Sequence, residues 1–397
     1  MSQRRPIILQ WGVSSFFGWG IYGLNLALNW LRDPDLAPAF SVPIVDRDLT
    51  VDRLRRLALE PVLVASRRIA ADLARKEGAA VELAVPVVHG LGNGFETGRS
   101  AHQTQLRGKP TLGVAFIENT VFNPTARKRA QFYPMVVAGS SWNAALLRNA
   151  GVPQVETVLQ GIDPTLFHPA PRLGLFKDKF VVFSGGKLEY RKGQDLVIKA
   201  FKLFAERHQD AMLATAWHSP FPQSARTMDR AGLAPVTIGE DNRANVRAWA
   251  QANGIPANRF IDLGAVPNRD MPQVLREMDV ALFPNRCEGG TNLVAMECIA
   301  CGVPTILSNN TGHKDLIARG GVLALNAQAH VPAPGPATGT DGWGESEVDE
   351  IVAVLDRAYQ QNAEARETAA KGAEAMSALT WAAAAEGLKR AIMPYLK

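Results

Sequence analysis

Residues 279–304 constrain the fold more tightly than any other stretch of this chain. Asp279-Val-Ala-Leu-Phe-Pro284 is a short apolar run with strand character. It leads to Cys287-Glu-Gly-Gly-Thr-Asn-Leu-Val-Ala-Met-Glu-Cys-Ile-Ala-Cys-Gly-Val-Pro304. The Gly289-Gly290 pair reads as a loop, Thr291 and Asn292 as N-cap candidates, and the following residues as a short helix closed by Gly302. Strand, glycine loop and helix N-terminus together make an anion site, because first-turn N–H groups have no partner inside the helix. Glu288 and Glu297 bracket that site. Two acids around an anion-binding loop point to a sugar nucleotide, whose hydroxyls need acceptors and whose diphosphate needs donors.

Elsewhere short apolar strands alternate with helical patterns, the signature of parallel α/β sheets. Strand candidates in the first half are 7–13, 81–89, 111–116 and 135–139, and in the second half 180–184, 211–217, 260–263, 280–283 and 305–308. Helical patterns include 142–149 and 51–77, the latter interrupted near Pro61. Two Rossmann-like sheets with a boundary near 165–178 follow, and 397 residues suffice for two domains. The Pro/Gly-rich stretch 331–344 reads as an exposed loop of the second domain.

A second strand–loop–helix unit runs from Phe180 to Phe201 and holds Gly186, Lys187, Leu188, Arg191, Lys192 and Gly193. With the 287–304 segment it resembles the retaining glycosyltransferases of family 4, the group 1 glycosyl transferases with the GT-B fold. That family carries Gly-Arg-Leu, three residues, Lys-Gly. Here Lys187 stands for the arginine, a point charge in place of a planar fork. The family also carries two glutamates with seven residues between them before a Gly-Val-Pro. Glu297 keeps its place, five residues before Gly302, whereas eight residues separate it from Glu288. Gln160-Gly-Ile-Asp-Pro-Thr-Leu-Phe-His-Pro169 is similar to the family's interdomain linker. Arg259-Phe-Ile-Asp-Leu-Gly-Ala-Val266 is similar to the segment that frames the nucleotide base.

The resemblance implies an α/β GT-B protein: two Rossmann-like domains with parallel sheets facing across a cleft. Residues 1–168 would form the acceptor-binding domain and 169–378 the nucleotide-sugar-binding domain, with the helix of 379–397 crossing back to the first. It implies transfer of a hexose from a nucleoside diphosphate sugar to an acceptor hydroxyl with retention, without metal or other cofactor. Lys187 and Lys192, with Arg191 beside them, would neutralise the leaving diphosphate. Gly186, Val266, Glu297 and the backbone of Gly290, Thr291, Asn292 and Leu293 would bind the donor, and Glu288 the reacting sugar. Gly18 and Gly20, in the loop after the first strand, would approach the donor phosphate.

Two residues of the first half join the catalytic candidates by position. His89 ends a strand before the glycine loop Gly90-Leu-Gly-Asn-Gly94, and Glu118 ends another; such ends face the ligand crevice of α/β folds. His89 could equally be a satisfied core histidine, and Glu118 a surface acid. Arg127-Lys-Arg129 reads as a solvated face.

Competing patterns point elsewhere. Gly18-Trp-Gly-Ile-Tyr-Gly23 is a literal G-x-G-x-x-G, with Asp46 and Asp48 after the apolar run 40–45, which suggests an NAD(P)-dependent oxidoreductase as a different enzyme class. Asp33-Pro-Asp35 and Asp46-Arg-Asp48 mimic a metal-binding Asp-x-Asp, but capping or solvated roles account for them. A nucleotide-sugar-binding protein without turnover, or a sugar-nucleotide epimerase, would also carry the second-half motifs.

Bulk properties narrow the setting. Hydrophobic content of 47% with 20% charged residues excludes a disordered chain. Residues 1–170 hold 18 Lys/Arg against 13 Asp/Glu, and the remainder is balanced at 25 each. A basic first half suits a phosphate-bearing acceptor or peripheral contact with an anionic membrane, and no nucleic-acid motif is present. Three cysteines, Cys287, Cys298 and Cys301, argue for a reducing, cytoplasmic compartment and a packing role. The uncharged run 6–31 could pass for a signal-anchor, but its four glycines and its polar residues fit a strand, a loop and a buried helix better.

Overall fold

The strand candidates assemble into two parallel sheets, one in each half of the chain. A computed structural model describes residues 4–97 and 105–396. The first sheet comprises β1 (Arg5–Gln10), β2 (Leu36–Phe40), β3 (Val87–Gly92), β4 (Thr111–Ala115), β5 (Val136–Ala138) and β6 (Val155–Thr157). These are ordered β2-β1-β3-β4-β5-β6 and all parallel, with residues 96–97 adding a short antiparallel pairing. Helices α1 (Gly18–Trp30), α2 (Arg53–Ala74), α3 (Pro124–Phe132) and α4 (Ser141–Ala150) connect them.

The second sheet comprises β7 (Phe180–Gly185), β8 (Ala211–Ala216), β9 (Phe260–Asp262), β10 (Val280–Phe283), β11 (Thr305–Ser308) and β12 (Leu323–Leu325). Its order is β9-β8-β7-β10-β11-β12, the doubly wound order of a Rossmann sheet. Helices α5 (Gln194–Arg207), α6 (Val246–Ala252), α7 (Met271–Arg276), α8 (Leu293–Ala300), α9 (Lys314–Ile317), α10 (Val348–Gln360) and α11 (Asn362–Met376) complete this half. Strands such as Phe180-Val-Val-Phe are apolar at every position because both faces are covered, and β7 and β10 are buried throughout.

Residues 1–161, 333–339 and 379–397 form one compact unit, and 162–332 with 340–378 the other. The last helix, α12 (Trp381–Ile392), belongs to the first unit. Thr380 caps it by accepting from the Ala383 N–H. Lys389 reaches both Asp33 and Asp35 at 2.7 Å, and Tyr22 lies 5.7 Å from Trp381, ring to ring. This ion pair is what the first Asp-x-Asp does here.

Two expectations are corrected. Helix α2 runs through Pro61 without interruption. The missing N–H and the displaced carbonyl fall on the helix's outer side, where Leu57 is 61% exposed and water can satisfy the freed group. The 331–344 stretch is not wholly a loop of the second unit, because 333–339 packs with the first. Asn119 holds it there, donating to the Ala337 carbonyl at 2.9 Å and accepting from the Gly339 N–H at 2.7 Å. Among the described residues no helix is long and apolar enough to cross a membrane; the 6–31 run resolves into β1, a loop and the buried α1.

Candidate functional site

In a doubly wound sheet the ligand crevice opens where the strand order reverses. In the second sheet that point lies between β7 and β10, which pair through Val182 and Val280. The loops leaving these two strands carry the strongest sequence motifs.

After β7, Gly186 adopts φ +106° and Gly193 φ +70°, both in the left-handed region that favours glycine. Gly193 is doubly required, since a Cβ there would stand 2.2 Å from the Pro284 carbonyl oxygen of the β10 loop. Between them Tyr190–Lys192 forms a single 3₁₀ turn. The Gln194 side chain reaches back and donates to the Lys187 carbonyl at 2.9 Å.

After β10, Arg286 fastens the two loops together. It is 1% exposed, makes a two-pronged pair with Asp195 at 2.7 and 2.8 Å, and donates to the Tyr190 carbonyl. It also pairs with Glu345 at 2.5 Å and lies 3.7 Å over the Tyr190 ring.

Glu288 follows two residues later and is buried. Lys192 Nζ pairs with one carboxylate oxygen at 2.5 Å, Asn285 donates to the same oxygen, and Arg191 Nη1 meets the other at 3.3 Å. Its N–H donates to Thr311 Oγ1 at 2.8 Å and its carbonyl accepts from Gly312. Burial alone would raise the carboxyl, but Lys192 and Arg191 pull it down to about 2. Lys187 pairs with Glu189 at 2.5 Å, and Arg191 with the same acid at 2.8 Å. Every cation expected to meet a diphosphate is therefore matched to a carboxylate.

Glu297 is held in the opposite way. It sits on α8, 4% exposed, and Asn268 donates to its Oε1 at 2.5 Å. Burial pushes its carboxyl up to about 8, outweighing that hydrogen bond. One acid is held ionised and the other neutral at neutral pH. Asn268 also ties Glu297 to the segment of Val266, which is half-buried two residues earlier.

The start of α8 is strained. Asn292 caps it from φ +65°, and Thr311 of the neighbouring loop has φ +37°. Thr291 is fully buried with its hydroxyl on Met296 Sδ, while Gly290 and Leu293 are buried beside it. A Cβ on Gly312 would stand 1.7 Å from the Gly290 carbonyl oxygen, so the two loops touch backbone to backbone. His313 is buried, bonded to Asn292 and Ser308, and pushed down to about 4 chiefly by burial.

The structure thus gathers Gly186, Lys187, Arg191, Lys192, Glu288, Gly290, Thr291, Asn292 and Leu293 on adjacent loops of one unit, with Glu297 and Val266 joined through Asn268. Sequence reasoning missed Arg286, Asp195, Asn268, Asn285, Thr311 and His313. The polar run Ser308-Asn-Asn-Thr-Gly-His313, directly after an apolar strand, was the signal that could have found the last two.

His89, Glu118, Gly18 and Gly20 belong to the first unit. His89 is corrected to a structural role. It is 4% exposed, with Nδ1 on the Tyr133 hydroxyl and Nε2 on the Leu106 carbonyl, both at 2.9 Å, and burial pushes it down to about 4. Glu118 is half-buried, its N–H donating to Asn93. Gly18 is exposed at the start of α1, whereas Gly20 is used in packing, since a Cβ there would stand 2.4 Å from Ser14 Cβ. The dinucleotide fingerprint fails on the same ground. Its glycines lie inside α1 and not in the turn before it, and Asp46 and Asp48 form a 3₁₀ turn well past the end of β2. Cys287, Cys298 and Cys301 are buried and free, and burial pushes the Cys301 thiol up to about 12. Among the described residues no group of His, Cys, Asp and Glu forms a metal cluster.

Comparison with known proteins finds similarity to glycosyltransferases. Residues 170–331 match the family model described as glycosyl transferases group 1. The chain is 27% identical over 286 residues to D-inositol 3-phosphate glycosyltransferase 1 of Catenulispora acidiphila, covering 68% of this chain and 59% of that protein. It is 26% identical over 180 residues to the GDP-mannose-dependent alpha-(1-6)-phosphatidylinositol monomannoside mannosyltransferase of Mycolicibacterium smegmatis, covering 42% of this chain and 41% of the relative. The chain therefore spans less than two thirds of the length of either curated relative. Sucrose-phosphate synthase from Thermosynechococcus elongatus shares the fold with a TM-score of 0.66 at 15% identity, covering 98% of this chain and 99% of that one.

Two outcomes test this electrostatic arrangement. Asp195→Ala leaves the Arg286 guanidinium buried without its two-pronged partner, and urea unfolding is expected to show a loss of about 3–5 kcal/mol. Glu297 binds a proton in the folded state that the unfolded chain releases above its ordinary 4.5, so it lowers stability as pH rises from about 4.5 to about 8. Glu288 works the other way: its contribution is present above about 4.5 and lost as pH falls toward 2. In parallel unfolding curves, Glu297→Gln should gain on the wild type between about pH 5 and about pH 8, on the order of 1 kcal/mol per pH unit. A constant gap would contradict a neutral Glu297.

Proposed function

From a chain whose residues 170–331, within its second unit, match the group 1 glycosyl transferases, we infer a retaining transferase that moves a hexose from a nucleoside diphosphate sugar to an acceptor hydroxyl without a metal ion. The observation that carries this reading is Glu288, buried yet held ionised by Lys192 and Arg191 at the switch point of a Rossmann sheet. A diphosphate entering there replaces the carboxylates on Lys187 and Lys192 and spreads its charge over both ammonium groups. Glu288, released from Lys192, then accepts hydrogen bonds from the sugar and favours an oxocarbenium-like state at C1. Neutral Glu297 can both donate to and accept from ribose hydroxyls.

The bond from C1 to the diphosphate oxygen breaks. The departing phosphate oxygen takes the proton of the acceptor hydroxyl, and the acceptor oxygen bonds to C1 on the face just vacated, so configuration is retained. The cations stabilise negative charge where it develops, and stabilisation of that kind lowers the barrier more than any other single effect in such chemistry. Both curated relatives are named for phosphate-bearing inositol compounds, and the basic first half of this chain suits an acceptor of that kind. A lipid-linked acceptor would bring the protein from the cytoplasm to the inner face of the membrane. The second reading, a nucleotide-sugar binder without turnover, is favoured by the tight clamp on Glu288.

Purified protein incubated with a panel of nucleoside diphosphate sugars and EDTA is expected to release diphosphate from one donor. Release should fall by roughly 10²–10³-fold in Lys192→Ala and also be lost in Glu297→Ala. A thermal shift with a donor but no release, with any acceptor offered, selects the binder; release that requires added metal refutes the metal-free step. Glu288→Gln separates the carboxylate's two roles. It removes the internal competitor for Lys192, so nucleoside diphosphate should bind more tightly by calorimetry, roughly tenfold, while transfer is lost. Weaker binding would show that Glu288 supports the cations and does not compete for them.

A further inference from the structure

Helix α2 is apolar on two sides. Leu59, Val62, Leu63, Ser66, Ala70 and Leu73 are its buried side. Opposite them Leu54, Leu57, Pro61 and Val64 fall at i, i+3, i+7 and i+10, one continuous stripe along the outer face. Leu54 is 78% exposed, Leu57 61% and Val64 36%. Scattered exposed leucines need no account, but an aligned stripe does.

Its rim is arginine. Arg53, Arg67, Arg68 and Arg75 are exposed along the same side. Glu60 and Asp72, the acids there, are taken by Arg67 at 3.4 Å and by Arg75. Arg53 and Arg68 have no acidic partner among the described residues. Arg56 pairs with Asp46 at 2.7 Å and so ties the 46–48 turn to the start of the helix, bringing exposed Arg47 and Val45 to that end.

We propose that this outer face of α2 docks the protein on an anionic lipid bilayer, Leu54, Leu57 and Val64 entering the headgroup boundary while Arg53 and Arg68 meet lipid phosphates. An apolar stripe rimmed by guanidinium groups is complementary to that boundary, where apolar chains lie beneath phosphates. Guanidinium also fits phosphate oxygens in two-pronged fashion. A second copy of the chain is a poorer occupant, because a two-fold contact on this face would set its arginines against one another. The inference rests on the transferase reading for its purpose, access to a lipid-borne acceptor, but not for its test.

The full chain is floated with vesicles of phosphatidylcholine alone and of phosphatidylcholine carrying one third phosphatidylglycerol, at low and high salt. Flotation is expected with the anionic vesicles only, weakening as salt screens the arginines. Leu54→Ser/Leu57→Ser and Arg53→Glu/Arg68→Glu should each cut partitioning by roughly tenfold, with the melting temperature unchanged because all four side chains are exposed. Flotation of the variants equal to that of the wild type, or no flotation on anionic vesicles, overturns the proposal. So does a wild-type dimer in sedimentation that the leucine variant dissolves, which assigns the face to a second copy. Donor cleavage is measured separately on the same proteins. Active protein that does not float refutes the docking face alone, and floating protein without turnover refutes only the transferase.

Discussion

The candidate site depends on the buried pairing of Arg286 with Asp195. The two switch-point loops come from strands adjacent in space but about a hundred residues apart in sequence, and neither loop is regular enough to hold its own shape. Arg286 stands on the second loop and binds Asp195 at the start of α5, the Tyr190 carbonyl and the Tyr190 ring. These contacts fix the distance at which Lys192 and Arg191 face Glu288. Gly193 and Gly312 then let backbones meet where no side chain would fit.

On that frame two glutamates of the same helix-and-loop unit acquire opposite charge states. Both are buried, so desolvation acts on both alike. Glu288 has two cations within 3.3 Å and stays ionised, whereas Glu297 has a neutral amide and holds its proton. The difference lies in their neighbours and not in their own chemistry. A site of this kind has a stored counter-ion, because Glu288 occupies the cations that a diphosphate would claim. On the transferase reading proposed above, donor entry would be an exchange of anions, with the carboxylate set free only when the phosphate is present.

The first unit shows how the same residue patterns can serve packing alone. Gly20 and Gly23 of Gly18-Trp-Gly-Ile-Tyr-Gly23 bring α1 close to the loop after β1, with Gly20 against Ser14 and Gly23 set beneath the Trp11 indole. His89 ends its strand as a ligand-binding histidine would, yet Tyr133 and the Leu106 carbonyl take both ring nitrogens. The Asp33 and Asp35 carboxylates that mimic a metal pair are the counter-charges of Lys389 on the last helix.

What the sequence by itself determined was the local grammar. Apolar runs of four to six residues between helical patterns required parallel sheets, since such strands are stable only with both faces covered. The glycine-bounded motifs at 185–193 and 287–304 placed a helix N-terminus and its cations and acids after two of those strands. What only the tertiary structure decided was which groups neutralise one another. Sequence spacing does not reveal that Lys192 and Glu288, 96 residues apart, share a hydrogen bond, or that Glu297 faces the neutral amide of Asn268. Charge state in a buried site follows from distances of a few ångströms, and those are set by the crossing of strands, not by the order of residues along the chain.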